Sequence, residues 1–123
     1  MDLTRQHCVS CAGGLPRLEP AALDEGLAQL PGWTLEADAT RLHRTFRFAD
    51  FAGSMRFVDA LAALAEAEGH HPDFSVHWDT VEVSLWTHDA GGLTLNDLVL
   101  AALIGARPEA EWRPGRPAAT RNG

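Results

Sequence analysis

The sequence predicts an α+β domain of order α-β-β-α-β-β-α, a four-stranded antiparallel sheet with three helices packed on one face. Three observations carry this. Two pairs of short segments, near residues 33–48 and 74–86, alternate apolar and polar side chains as half-buried hairpins do. Residues 51–68, between them, repeat apolar side chains at helical spacing. The connections are short, which makes neighbouring strands antiparallel.

Residues 1–18 contain CAGGLP and no apolar period, and read as an irregular arm. The first helix begins near Pro20, a residue suited to the first helical position. It carries Ala22, Leu23, Leu27 and Leu30 and stops at Pro31-Gly32. In the first hairpin Trp33, Leu35 and Ala37 share a face, as do Leu42, Phe46 and Phe48, with Asp38-Ala39-Thr40 between them. Arg41, His43, Thr45 and Arg47 point the other way.

Asp50 is placed to cap the second helix. Its stripes, Phe51, Met55, Val58, Ala62 and Ala65 beside Phe57, Leu61 and Leu64, cover more than one narrow face. One side buries on the sheet and the other is available to a second subunit. Gly69 ends it. The second hairpin alternates Phe74, Val76 and Trp78 with Ser75 and His77, then Val81, Val83 and Leu85 with Glu82, Ser84 and Trp86. Asp89-Ala90-Gly91-Gly92 breaks the strand. Thr94-Leu95-Asn96-Asp97 resembles a capping box with Asp in place of Glu and opens the last helix, which ends near Gly105. Residues 19–106 thus form the folded domain, and the Pro-, Arg- and Gly-rich tail at 107–123 is expected to be flexible.

The 123 residues fit one domain, with 46% hydrophobic and 22% charged side chains. A net charge of −7 argues against nucleic acid as a partner, because phosphate backbones attract clustered Lys and Arg. No apolar stretch is long enough to span a bilayer, and no secretory signal is visible, so the expected location is the cytoplasm. Cys8 and Cys11 form a C-x-x-C pair without a second ligand pair at zinc-finger spacing. The plain reading is an arm carrying two thiols. Half of a metal site completed across a dimer, or a redox pair, are the alternatives.

The chemistry is expected on histidines. If Asp79-Thr80 is a two-residue turn, Trp78 pairs with Val81, Val76 with Val83 and Phe74 with Leu85. The same register sets His71 across from His88. His70 follows the helix end, with Glu66 four residues earlier on the same face, where a carboxylate can fix an imidazole tautomer. Imidazoles ionise near neutrality, so the cluster suits proton transfer. A metal site is disfavoured by the adjacent placement of His70 and His71 and by the lack of HExxH. Nucleophilic catalysis lacks a Gly-x-Ser-x-Gly elbow. His7, His43 and His77 read as ordinary surface residues.

Glu66-x-x-x-His70-His71-Pro72, then Trp78, Thr87-His88 and Asp97, resembles the signature of the pterin-4a-carbinolamine dehydratases. Gly32-Trp33, Phe46-x-Phe48, Phe57-Val58, HHPDFSVHW, VEVSLWTH and GGLT extend the resemblance over about residues 18–105. It implies homodimers or homotetramers, and dehydration of a 4a-hydroxytetrahydropterin to a quinonoid dihydropterin with no metal and no cofactor. An aromatic amino acid hydroxylase would generate the substrate, within tetrahydrobiopterin recycling. By the same resemblance His70 and His88 are the acid–base pair, His71 binds and orients the pterin with some share in proton transfer, and Glu66 orients His70. Trp78 is packing or pocket wall. Trp86, where a small residue is common, lines the pterin pocket or an oligomer contact. Asp97 is explained by helix capping. Two alternatives stand beside this: a non-catalytic protein-binding or dimerisation module, such as a transcriptional coactivator or an assembly factor, and an enzyme acting on a molybdopterin-related pterin.

Overall fold

The computed structural model describes residues 2–9, 15–36 and 38–106; Cys11, Ala37 and the 107–123 tail lie outside them. Its elements are α1 (Pro20–Leu27), β1 (Thr34–Glu36), β2 (Arg41–Arg47), α2 (Phe51–Glu68), β3 (Asp73–His77), β4 (Thr80–Leu85) and α3 (Leu95–Ala106). The strands form one antiparallel sheet in the order β1-β2-β4-β3. This is the α+β order the sequence predicts. No helix among the described residues is long and apolar enough to cross a membrane.

Local chemistry explains the boundaries. Pro20 opens α1. Asp50 Oδ1 accepts the Gly53 N–H at 2.8 Å and so caps α2. Gly69 closes α2 in the left-handed conformation, φ 67°. The core lies between the sheet and the helices. Leu42 and Phe46 from β2 and Val81, Val83 and Leu85 from β4 meet Phe57 and Leu61 of α2 and Leu98–Ala102 of α3. Phe57 sits between two rings, with centroids 4.5 Å from Phe46 and 5.2 Å from Phe48. Gly26 allows α1 to approach α3 closely, since a Cβ there would fall 2.4 Å from Leu98 Cδ1.

The second hairpin differs from expectation in register. Val76 pairs with Val81, Phe74 with Val83 and His77 with Thr80, so Trp78-Asp79 is the turn in place of Asp79-Thr80. A shift of two residues leaves the side chains that remain in the strands on their expected faces, and alternation alone cannot tell the two registers apart. Trp78 therefore leaves the core face. It adopts φ 54°, is 45% exposed, and its carbonyl accepts the Ser54 hydroxyl at 2.7 Å. Because β3 is an edge strand, Phe74 is exposed as well, as are Phe51 and Met55 on α2.

The start of the chain is docked. Leu3, in a 3-10 turn over Leu3–Arg5, is buried in the core, and its N–H donates to Gln29 Oε1 at 3.1 Å. Glu68, the last residue of α2, accepts the Cys8 N–H at 2.7 Å and lies 2.8 Å from His7 Nδ1. Burial pushes the Glu68 carboxyl up, but the hydrogen bonds from His7 and Cys8 outweigh it and hold the group below its ordinary value of 4.5. A carboxyl with a depressed folded value contributes stability that is complete above the unfolded value and is lost as pH falls through the folded one. Glu68→Gln is expected to flatten the acid limb of a stability curve taken by urea titration from roughly pH 6 to pH 3. An acid limb as steep as that of the wild type would contradict this.

Candidate active site

Gly69 turns the chain out of α2, so His70 no longer continues the helical face that carries Glu66. It points instead to α3. His70 is 7% exposed, and its Nε2 lies 2.6 Å from Asp97 Oδ1. A carboxylate only accepts, so Nε2–H is the donor and Nδ1 is the basic nitrogen of the ring. Asp97 is fully buried in the first turn of α3, where the helix dipole favours its negative charge. Its Oδ2 accepts the Thr94 N–H at 2.9 Å and the Thr87 hydroxyl at 2.7 Å. The single Thr87 hydroxyl proton is thereby used, so the Thr94 hydroxyl is the donor in the 2.9 Å contact between the two threonines. Asp97 caps α3 and orients His70 with the same carboxylate.

His71 and His88 stand on the rim. His71 Nε2 lies 2.5 Å from Glu66 Oε2, and both side chains are well exposed. His88 follows β4 in a 3-10 turn over His88–Ala90 and packs on Trp86, ring centroids 3.9 Å apart. Trp86 is fixed by the Arg41 guanidinium, 4.4 Å from its ring, and by Asp73 Oδ2, which accepts its indole N–H at 3.0 Å. His70, His71, Trp86 and His88 line one open cleft of about 340 Å³, together with Pro72 and Asp73. A cavity of about 410 Å³, walled by Trp33, Arg44 and the end of α3, is lined by no carboxylate or imidazole, whereas one of about 380 Å³ on the sheet is lined by Glu36, His43, Asp73 and Glu82.

The family model for pterin 4 alpha carbinolamine dehydratase matches residues 16–106. The chain belongs to this family. Relatives provisionally named pterin-4-alpha-carbinolamine dehydratases agree. One from Xanthomonas euvesicatoria pv. vesicatoria (strain 85-10) is 48% identical over 83% of this chain and 86% of its own. One from Stenotrophomonas maltophilia (strain K279a) is 46% identical over 89% of this chain and 94% of its own. Among solved structures, a transcriptional coactivator/pterin dehydratase from Brucella melitensis superposes with a TM-score of 0.69 at 32% identity, covering 73% of this chain and 96% of its own. A pterin dehydratase-like protein identified as a RuBisCO assembly factor in the α-carboxysome gives 0.54 at 26% identity, over 68% and 92%.

Within this pterin dehydratase family member, four of the residues expected at the site, His70, His71, His88 and Trp86, share the cleft. Three expectations are corrected. Glu66 meets His71 instead of His70, because the left-handed Gly69 takes His70 off the helix. His71 does not pair with His88 across the hairpin. The observed register would set His71 opposite Trp86, and His88 joins the cleft from the turn beyond β4. Trp78, in the hairpin turn, is not among the residues lining the cleft. The pairing of Asp97 with His70 was missed by spacing alone, although Asp97 stood in the family signature. His43 and His77 lie on the open sheet face against Glu82, at 3.2 and 3.3 Å. Among the described residues, no group of three or more His, Cys, Asp or Glu side chains is arranged to hold a metal ion.

Proposed function

We propose that this protein dehydrates a 4a-hydroxytetrahydropterin to the quinonoid dihydropterin and water, by histidine acid–base chemistry. The observation that carries the reading is the buried His70–Asp97 pair opening onto a cleft whose rim holds two more imidazoles. Loss of the 4a-hydroxyl requires a proton on the leaving oxygen, and formation of the product requires removal of a proton from a ring nitrogen. The protons balance and no electrons are exchanged. His70, with Nε2–H held by Asp97, has Nδ1 as its base, and the Asp97 carboxylate stabilises the imidazolium once formed. His88 is the complementary acid–base group. His71, paired with Glu66, binds and orients the pterin, and Trp86 offers an aromatic wall to its ring. The reaction belongs in tetrahydrobiopterin recycling after an aromatic amino acid hydroxylase.

The test is to generate the 4a-hydroxypterin with a hydroxylase and follow its decay. Wild type accelerates the decay. His88→Ala is expected to lower kcat by about 10²-fold or more, and His71→Ala to act mainly through KM. Wild-type protein that leaves the decay unchanged would sink the reading.

A second reading rests on the apolar side chains Phe51, Met55, Phe74 and Trp78, all exposed in a single chain. They suit a protein contact, first of all with further copies of this chain in a homodimer or homotetramer. A protein-binding role like those named for the two structural neighbours would use the same surface. Sedimentation of wild type and Phe51→Glu separates self-association from a monomer that displays this face.

A further inference from the structure

We propose that the N-terminal segment His7–Val9 is a positioning element for the His70–Asp97 pair, acting through Glu68 and Asn96. The members of this pair come from different elements, His70 from just beyond α2 and Asp97 from the first turn of α3. Their 2.6 Å contact depends on the relative placement of those two helix ends. The segment grips both. On the α2 side, Glu68 stands two residues before His70 and takes the Cys8 N–H and the His7 ring. On the α3 side, Asn96 immediately precedes Asp97. Its Oδ1 accepts the Val9 N–H at 2.9 Å, and its Nδ2 donates to the Val9 carbonyl at 2.7 Å. That two-way amide pairing fixes the segment in direction as well as in place. The Cys8 thiol lies 3.5 Å from the Asn96 carbonyl and closes the span. Asn96 and the Glu68 side chain are almost fully buried, which shelters their side of these bonds, while His7 and Val9 face solvent. At the far end Leu3 anchors the segment in the core.

A hydrogen bond of this kind weakens steeply with stretch and misalignment. A misplacement of about 1 Å at a catalytic group can cost about 10²-fold in rate. A clasp that ties residue 68 to residue 96 restrains the displacement that would part His70 from Asp97. The segment lies outside residues 16–106, which the family match covers, so membership of the family assigns it no part.

The kinetic arm of the test rests on the dehydratase reading, and the spectroscopic arm does not. Glu68→Ala, Asn96→Ala and Val9→Pro are compared with wild type well below their melting temperatures. Val9→Pro removes the gripped N–H from an exposed residue and leaves α2 and α3 untouched. Each variant is expected to lower kcat by about tenfold with KM within about twofold, and to broaden or abolish the NMR signal of the His70 Nε2 proton. Glu68→Gln, whose amide oxygen still accepts from Cys8, is expected to restore most of both. Variants that melt earlier yet keep wild-type kcat and a sharp His70 signal would overturn the proposal and reduce the segment to a strap. Should wild type fail to dehydrate the pterin, the dehydratase reading falls. The His70 signal in the same variants then decides the positioning role by itself, supporting it if lost and overturning it if retained.

Discussion

Asp97→Ala is expected to give the largest combined loss of stability and activity of any single substitution at the site. It removes a fully buried carboxylate that three protein groups address: the His70 ring, the Thr87 hydroxyl and the Thr94 N–H. The variant strands these donors in a space closed to water. Unsatisfied buried polar groups cost about 1–3 kcal/mol each, and breaking a buried charged network costs about 3–5 kcal/mol in total. Urea or thermal unfolding measures the loss. Asp97→Asn separates structure from chemistry. An amide retains an acceptor oxygen but presents an NH2 where one donor now points, so one of the three contacts becomes donor against donor. Its kcat is expected to fall by about 10²-fold or more, with a smaller stability cost than that of alanine. A fully active Asp97→Asn enzyme would show that the carboxylate serves only as a cap.

His70→Ala is expected to lower kcat by about 10²- to 10⁴-fold, the usual worth of a positioned acid–base group, while KM changes little. The contrast with His71 is the informative part. The His71 side chain is 62% exposed and paired with the still more open Glu66, so its removal disturbs binding more than the proton transfer itself. His70 is held at the cleft by a buried partner. Single-turnover measurement on both variants separates the effects. A larger kcat loss for His71→Ala than for His70→Ala would reverse the roles assigned here.

Much of the site was legible in the sequence because its residues fall at punctuation points. Gly69 marked the end of α2, and two of the three histidines follow it directly. The Asp89–Gly92 break marked the turn region beside His88, although β4 itself ends earlier, at Leu85. The faces of the second hairpin were also readable, since alternation assigns each side chain to one face. Its register was not. Registers two residues apart bury the same set of side chains, and the choice falls to the turn, where Trp78 accepts a positive φ and Ser54 binds its carbonyl. That choice moved Trp78 from the core to the surface and broke the anticipated pairing of His71 with His88.

By itself the sequence determined the α+β order and the helix limits at Asp50 and Gly69, and it singled out the three histidines that line the cleft. Those properties depend on interactions within a few residues, namely periodicity, capping and turn chemistry, which the chain carries locally. Only the tertiary structure decided which carboxylate each histidine receives. Glu66 is near both His70 and His71 in sequence, and helical spacing favours the wrong one. Asp97 lies 27 residues from His70 and reaches it because α2 and α3 bring their ends together over the sheet. The docking of His7–Val9 against those ends has the same origin, for contacts between residues 60 to 88 apart leave no periodic trace in the chain.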